Sequence, residues 1–264
     1  MMSGVVPTKT PPSQQITAAE PLVIDPIAMS FDEDGRLYVI EMRDYSERRP
    51  ERLGRVRLLE DTDGDGRFDK STVFAQDLPW PTAVICWDGG VFVGATPDII
   101  YFKDTNRDGV ADVREVIFSG FASDYAPFAT NKLNVQALMN SFNWSLDNRI
   151  HGATSFSSGK VNLVDSPFVR EWLRKTSSAQ LATFNSQLDL RGRDFSFDPR
   201  TLEMRAESGG GQHGLSFDNR GRRFVCSNSS HVQTLMYEER YAARNPFYSM
   251  PRALVDIAVD GGAA

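Results

Sequence analysis

Two near-copies of a strand–turn–strand unit, with an Asp-rich loop of the same spacing in each copy, predict an all-β fold, and abundant aromatic residues argue against disorder. The expected architecture is a β-propeller of four-stranded antiparallel blades. In the first copy Pro26-Ile27-Ala28-Met29-Ser30-Phe31 precedes Asp32-Glu33-Asp34-Gly35 and then Arg36-Leu37-Tyr38-Val39-Ile40. An Asp/Gly turn between apolar, β-branched or aromatic flanks is hairpin chemistry, because the turn needs residues that tolerate positive φ. The second copy runs Pro81-Thr82-Ala83-Val84-Ile85-Cys86-Trp87, Asp88-Gly89-Gly90, Val91-Phe92-Val93. In each copy a third strand (Val56-Arg57-Leu58-Leu59-Glu60, then Ile99-Ile100-Tyr101-Phe102-Lys103) leads into the Asp-rich loop, and a fourth leaves it over residues 71–75 and 114–119. Four strands in roughly 40–55 residues is the period of a propeller blade. The first copy also carries an insertion, residues 43–54, rich in Arg, Glu and Pro and expected in a surface loop.

Further along, residues 143–152, 193–204 and 214–226 each read as a hairpin, around Asp147-Asn148, Asp198-Pro199 and Asp218-Asn219. Between the first two, Phe168, Trp172 and Leu173 recur near helical spacing, so a helical insertion is expected over residues 166–187. The count reaches about four blades and the start of a fifth. Because an open ring exposes sheet edges, the expectation is an incomplete six-bladed propeller over residues 20–264, truncated at its C-terminal side. Residues 1–19 are rich in Pro, Ser and Thr without an apolar stretch, and read as a disordered leader and not as a signal peptide.

Of 264 residues, 41% are hydrophobic, enough to fill a core, and the net charge of −6 argues against nucleic acid as a partner. No apolar run approaches the roughly 20 residues of a membrane helix. Cys86 and Cys226 sit among strand-like apolar residues and read as buried free thiols, with a disulfide between them as the alternative.

The acidic residues concentrate in two loops, Asp61-Thr62-Asp63-Gly64-Asp65-Gly66-Arg67-Phe68-Asp69 and Asp104-Thr105-Asn106-Arg107-Asp108-Gly109-Val110-Ala111-Asp112. Both fit D-x-[DN]-x-D-G-x-x-D. Calcium takes six to eight oxygens at about 2.3–2.6 Å, and alternate side chains of a tight loop can aim oxygens inward around it. Glycine at the sixth position permits the sharp turn. The expected ligands are Asp61, Asp63, Asp65 and Asp69 in one loop and Asp104, Asn106, Asp108 and Asp112 in the other. Strand-like flanks, and Thr72 and Glu115 at the twelfth positions, mark these as hairpin loops and not EF-hands. Magnesium suits them less well, since it retains several waters.

The chain has three histidines, none at metal-ligand spacing from another. His213 follows Gly209-Gly210-Gly211-Gln212 just before a strand, and loops at one face of a propeller carry its chemistry. His213 is therefore the first general-base candidate and His231, after Ser227-Asn228-Ser229-Ser230, the second. Arg193 and Arg244 are candidates for holding a carboxylate-bearing cofactor, which suits the guanidinium fork. Asn228 is a further candidate from the same polar loop.

Several segments carry a resemblance: Gly35-Arg36-Leu37-Tyr38-Val39, Glu41-Met42-Arg43-Asp44-Tyr45, Leu78-Pro79-Trp80-Pro81-Thr82, Gly192-Arg193-Asp194-Phe195, Cys226-Ser227-Asn228-Ser229 and Arg244-Asn245-Pro246. The chain resembles, over about residues 18–246, the bacterial membrane-bound dehydrogenase family of haem-binding CxxCH proteins. The similar part is their N-terminal propeller, of the soluble quinoprotein glucose/sorbosone dehydrogenase type. The resemblance implies a periplasmic or secreted protein acting on a sugar or small alcohol with pyrroloquinoline quinone (PQQ). It also implies, as partners, the remaining blades, helical repeats and a cytochrome c domain of a longer protein. No CxxCH occurs here, so no haem is expected on this chain. Ser145 and His151 stand where the family shows a glycine and an aromatic. A non-catalytic, calcium-stabilised propeller binding carbohydrate or protein is the alternative.

Overall fold

The computed structural model describes residues 17–123, 133–155, 159–176, 187–245 and 247–259. The expected leader over residues 1–16, and residues 177–186 of the expected helical insertion, lie outside them. Four antiparallel sheets follow one another along the chain. The first blade is β1 (Pro26–Phe31), β2 (Leu37–Glu41), β3 (Gly54–Glu60) and β4 (Lys70–Leu78), paired in that order. The second is β5 (Ala83–Trp87), β6 (Gly90–Ala95), β7 (Asp98–Lys103) and β8 (Val113–Ser119). The third begins with β9 (Asn140–Trp144) and β10 (Ile150–Ala153).

An excursion then interrupts the third blade. β11 (Lys160–Leu163) leaves it to pair with β8, and β12 (Leu188–Asp189) pairs with β11, widening the second sheet to six strands. Between them lies α1 (Pro167–Thr176), which buries Val169 and Leu173, four residues apart on one face. Trp172 stacks edge-on against Tyr101 at 4.8 Å and donates from its indole to the carbonyl of Pro199 at 3.0 Å. The chain returns to finish the third blade with β13 (Asp194–Phe197) and β14 (Met204–Glu207). The fourth blade is β15 (His213–Phe217), β16 (Arg223–Cys226), β17 (Gln233–Leu235) and β18 (Leu254–Asp256), with α2 (Glu239–Ala242) in its last connection.

The all-β, four-stranded-blade architecture is as the sequence predicts, but the count is corrected. The hairpins at 143–152 and 193–204 are two halves of one blade, so no start of a fifth stands among the described residues. Among the described residues the helical insertion is a helix over Pro167–Thr176, and a strand begins at Leu188. Chain order begins before residue 20: the Thr17 carbonyl accepts the Phe68 N–H at 2.9 Å, and Ala18 and Leu22 pack on Val23, Leu37, Val39 and Leu59. The 43–54 insertion is not simply a surface loop, since Asp44 is wholly buried and its carbonyl accepts the Trp80 indole N–H at 3.0 Å.

The innermost strands β1, β5, β9 and β15 pack side by side along the arc. They run in the same direction: Asn140 Nδ2 donates to the Gln212 carbonyl at 2.8 Å and Asn143 Nδ2 to the Leu215 carbonyl at 2.7 Å. The core lies between successive blades. Ile40, Leu58 and Phe74 of the first meet Val91, Val93 and Phe102 of the second, and Phe92 of the second meets Phe197 of the third at 5.1 Å. Strands β2 and β6 are buried on both faces, which explains their nearly unbroken apolar sequences. Inside the first blade Glu41 is wholly buried, accepts the Ile24 N–H at 2.7 Å and pairs with Arg55. The two ends of the arc are less covered: Ile27, Met29 and Phe31 are exposed on β1, and Met236, Val255 and Ile257 on the fourth blade.

Cys86 and Cys226 are free, half-buried thiols in the second and fourth blades, with the third blade between them. Burial pushes the Cys86 thiol up to about 11. No helix among the described residues is long and apolar enough to cross a membrane.

Candidate functional site

The starts of the four inner strands converge on an axial groove of about 410 Å³. Met29 comes from β1, Thr82 precedes β5, Asn140 and Asn143 come from β9, and His213 opens β15. The local sequence explains how His213 reaches this place. A register shift between His213 and Ser216 bulges β15 where it pairs with β16, a device that re-aims side chains at strand ends. Gly211 lets the incoming chain pass close to the fourth blade, since a Cβ there would meet Val225 Cγ1 at 2.7 Å. The His213 ring is half-buried, and burial pulls its pKa below the usual histidine value. The neutral imidazole therefore dominates at neutral pH, the form that accepts a proton.

Other sequence candidates share this end of the fourth blade without lining the groove. His231 and Asn228 are exposed in the turn between β16 and β17, and the Asn228 N–H reaches Gln212 Oε1 at 3.0 Å. Arg193 lines a different cavity, of about 470 Å³, and its guanidinium is held by Glu239 at 3.3 Å and by the Asp189 carbonyl. Arg244 is exposed beyond α2, its guanidinium 5.4 Å from the Tyr241 ring. His151 is buried against Asp147, which its Nε2 meets at 3.0 Å, and against Phe217, while its Nδ1 has no hydrogen-bond partner.

The two acidic loops stand at the opposite rim. Each joins the third and fourth strands of its blade, β3 to β4 and β7 to β8, whereas His213 opens an inner strand. In an antiparallel blade these positions fall at opposite ends. The loops share one wiring. Asp61 accepts N–H groups of Gly64 and Gly66 at 2.7 and 2.9 Å, and Asp104 accepts those of Arg107 and Gly109 at 2.6 and 2.8 Å. Asp69 is taken by the N–H and hydroxyl of Thr62, as Asp112 is by those of Thr105, and these hydrogen bonds hold both carboxyls below the usual range. Carboxylate oxygens of Asp61, Asp63 and Asp65 lie within 4.8 Å of one another. The second loop also braces the first two blades together: the Ala111 N–H donates to the Phe74 carbonyl at 2.8 Å, and Arg114 to the Gln76 carbonyl at 2.9 Å.

The sequence reading missed the inner-strand polar residues Asn140 and Asn143. It also missed a buried polar group formed by Ser155, Asp194, Ser208 and Arg223, each with a side-chain atom lacking a hydrogen-bond partner. No local pattern in the sequence marks them: Asn140 and Asn143 are three residues apart on β9, and Ser155 and Ser208 lie outside the strands.

A family model described as a domain of unknown function, DUF7133, matches residues 9–264. No curated protein matches the chain. Among solved structures, a protein assigned as an oxidoreductase (glucose dehydrogenase) from Thermus thermophilus is similar at 14% identity and a TM-score of 0.46, over 78% of this chain and 58% of that one. The PQQ-bound aldose sugar dehydrogenase of Streptomyces coelicolor is similar at 12% identity and a TM-score of 0.48, over 81% and 59%. The PQQ domain of pyranose dehydrogenase from Coprinopsis cinerea matches at 14% identity and a TM-score of 0.45, over 80% and 43%. The chain thus spans less than three fifths of the length of each of these structures.

Proposed function

The chain belongs to the DUF7133 family, and on that premise we propose that it forms the sugar- or small-alcohol-binding part of a quinoprotein-like dehydrogenase, with His213 as general base. One observation carries the reading: a half-buried, neutral His213 stands in the axial groove beside Asn140, Asn143 and Thr82. A polyol offers hydroxyl groups to such amides and to the histidine, and its C–H faces to apolar neighbours such as Met29 and Phe142. In this reading Nε2 or Nδ1 of His213 takes the proton of the bound hydroxyl, which raises electron density on the carbon to be oxidised.

The described residues do not by themselves cradle a tricarboxylate quinone. No Arg or Lys lines the groove, Arg193 faces Glu239 in a separate cavity, and Arg244 is exposed elsewhere. Holding that cofactor beside His213 would need groups outside the described residues. Turnover by the isolated chain is accordingly expected to be weak or absent. Calcium, in the same reading, sits in the acidic loops as a stabiliser of blades, far from the base. The separation of loops and histidine also favours a second reading, a non-catalytic calcium-stabilised propeller that binds carbohydrate or protein.

The test is an NMR titration of the chain with a panel of aldoses and small alcohols, followed by dye reduction with PQQ and calcium. Sugar-dependent shifts of the His213 ring, lost in Asn143→Ala, support the groove. Binding that His213→Gln leaves untouched favours the second reading, and no binding by any member of the panel removes the first.

A further inference from the structure

We propose a second ligand site, independent of the axial groove, that takes a small hydroxylated carboxylate of the aldonate or uronate class. The site is the cavity of about 470 Å³ between the third and fourth blades, where Ser155, Ser208, Gly209 and Gly210 face Arg252. Ser155 and Ser208 are 4% and 3% exposed, line this cavity, and have hydroxyl oxygens without a partner. Buried hydroxyls are ordinarily satisfied, so two unsatisfied ones on one wall mark a place where a polar ligand completes the bonding. Arg252 is exposed at the cavity mouth and makes no hydrogen bond or ion pair among the described residues, its charge reaching Asp256 only at a distance, whereas the other arginine of the cavity, Arg193, is already held by Glu239 at 3.3 Å. A guanidinium without a hydrogen-bonded partner, on a cavity that two such hydroxyls also line, suits a ligand with one carboxylate and neighbouring hydroxyl groups.

The backbone of this wall is packed closely against Asp194 and Gly192, which only glycines allow. Gly209 and Gly210 have φ of +147° and +80°, and a Cβ on Gly209 would fall 1.9 Å from Asp194 Oδ2. Behind that glycine the buried Asp194 carboxyl lies against the charge of Arg223, whose Nη2 is fixed on the Ser208 carbonyl at 2.5 Å. The Arg223–Ser208 contact fixes the Ser208 wall, and Arg252 is the cavity's arginine that no carboxylate or carbonyl already holds.

The experiment is isothermal titration of the whole chain with D-gluconate, with D-glucose as the neutral counterpart and inorganic phosphate as a plain anion. The expected result is saturable gluconate binding that Arg252→Gln weakens at least tenfold, the loss of one charge-assisted contact of about 1.4 kcal/mol. Ser155→Ala should weaken it as well, and His213→Gln should not, which separates this site from the axial groove. A circular dichroism spectrum and melting curve matching the wild type show that each variant is folded, and Ser208→Ala replaces Ser155→Ala if that one is not. Equal gluconate affinity in wild type and Arg252→Gln overturns the proposal. So do equal affinities for gluconate and glucose, equal affinities for gluconate and phosphate, or the absence of gluconate binding.

Discussion

Asp69 accepts a hydrogen bond of 2.6 Å from the hydroxyl of Thr62, closing the first acidic loop on its own second residue. Asp112 and Thr105 repeat the contact in the second loop. This leaves Asp61, Asp63 and Asp65 as the carboxylates gathered at the loop's mouth. Millimolar calcium is expected to raise the melting temperature and a chelator to lower it, because a ligand bound only by the folded state stabilises it by mass action. At a hundred times the dissociation constant the gain is about 2.7 kcal/mol per site. Asp65→Ala and Asp108→Ala should each remove part of the response in differential scanning fluorimetry. Superimposable curves with calcium and chelator would dispose of the calcium loops.

Glu41 gives a second expectation. Its carboxylate is wholly buried beside Arg55, with Arg57 3.9 Å away, and it also anchors the Ile24 N–H. Removing one partner leaves the other buried without compensation, which costs about 3–5 kcal/mol. Arg55→Met should therefore lower the urea midpoint strongly, and Glu41→Gln combined with Arg55→Met should recover part of the loss. A double variant no more stable than Arg55→Met alone would show that the pair is not coupled.

Asp194 makes stability depend on pH in the direction opposite to most carboxylates. Burial pushes its pKa up to about 6, against the charge of Arg223 and backbone N–H groups that lower it. A carboxyl with a raised folded pKa keeps its proton in the folded state while the unfolded chain has already lost it. The folded state thus loses stability as pH rises from about 4 to about 6, by an amount on the order of 2–3 kcal/mol. Asp194→Asn should flatten that part of the profile in urea melts taken across this range. A wild-type and variant pair with parallel profiles would refute the assignment.

The uncovered faces at the ends of the arc predict association. Ile27, Met29 and Phe31 present three apolar side chains on one face of β1, and Met236, Val255 and Ile257 are exposed on the fourth blade. Contiguous exposed apolar surface favours contact between molecules. Light scattering should show a mass that rises with concentration, and Met29→Lys with Phe31→Lys should reduce it. A concentration-independent monomer in the unmutated chain would contradict this.

The first two blades were legible because turn chemistry and strand alternation lie close together in the sequence: Asp34-Gly35 and Asp88-Gly89 each sit between the strands they join. The third blade was not, because β10 and β13 pair across an excursion whose own strands belong to another sheet. Adjacency in sequence then misleads, and one blade reads as two hairpins. His213 was legible from the glycine-rich loop before it. Asn140 and Asn143 were not, because their amides bind across to β15, a contact set by the docking of inner strands and not by any local pattern. Ser155 and Ser208 look like solvent residues in the sequence and become interior ones only when β10 and β14 end on either side of β13.

The pairing of β11 onto β8 also sets an order of events during synthesis. When the ribosome has delivered β8, the outer edge of the second blade still lacks its neighbour, and the apolar residues Ile117 and Phe118 still lack Val161 and α1 above them. That cover arrives only after β9 and β10 have emerged, and the third blade cannot close until β13 follows. At about 5–20 residues per second, the nascent second blade waits roughly a few seconds with an open strand edge. The second and third blades are therefore completed nearly together, as one cooperative unit, and a ribosome pause shortly after β8 would leave this protein exposed to chaperones and proteases for as long as it lasts.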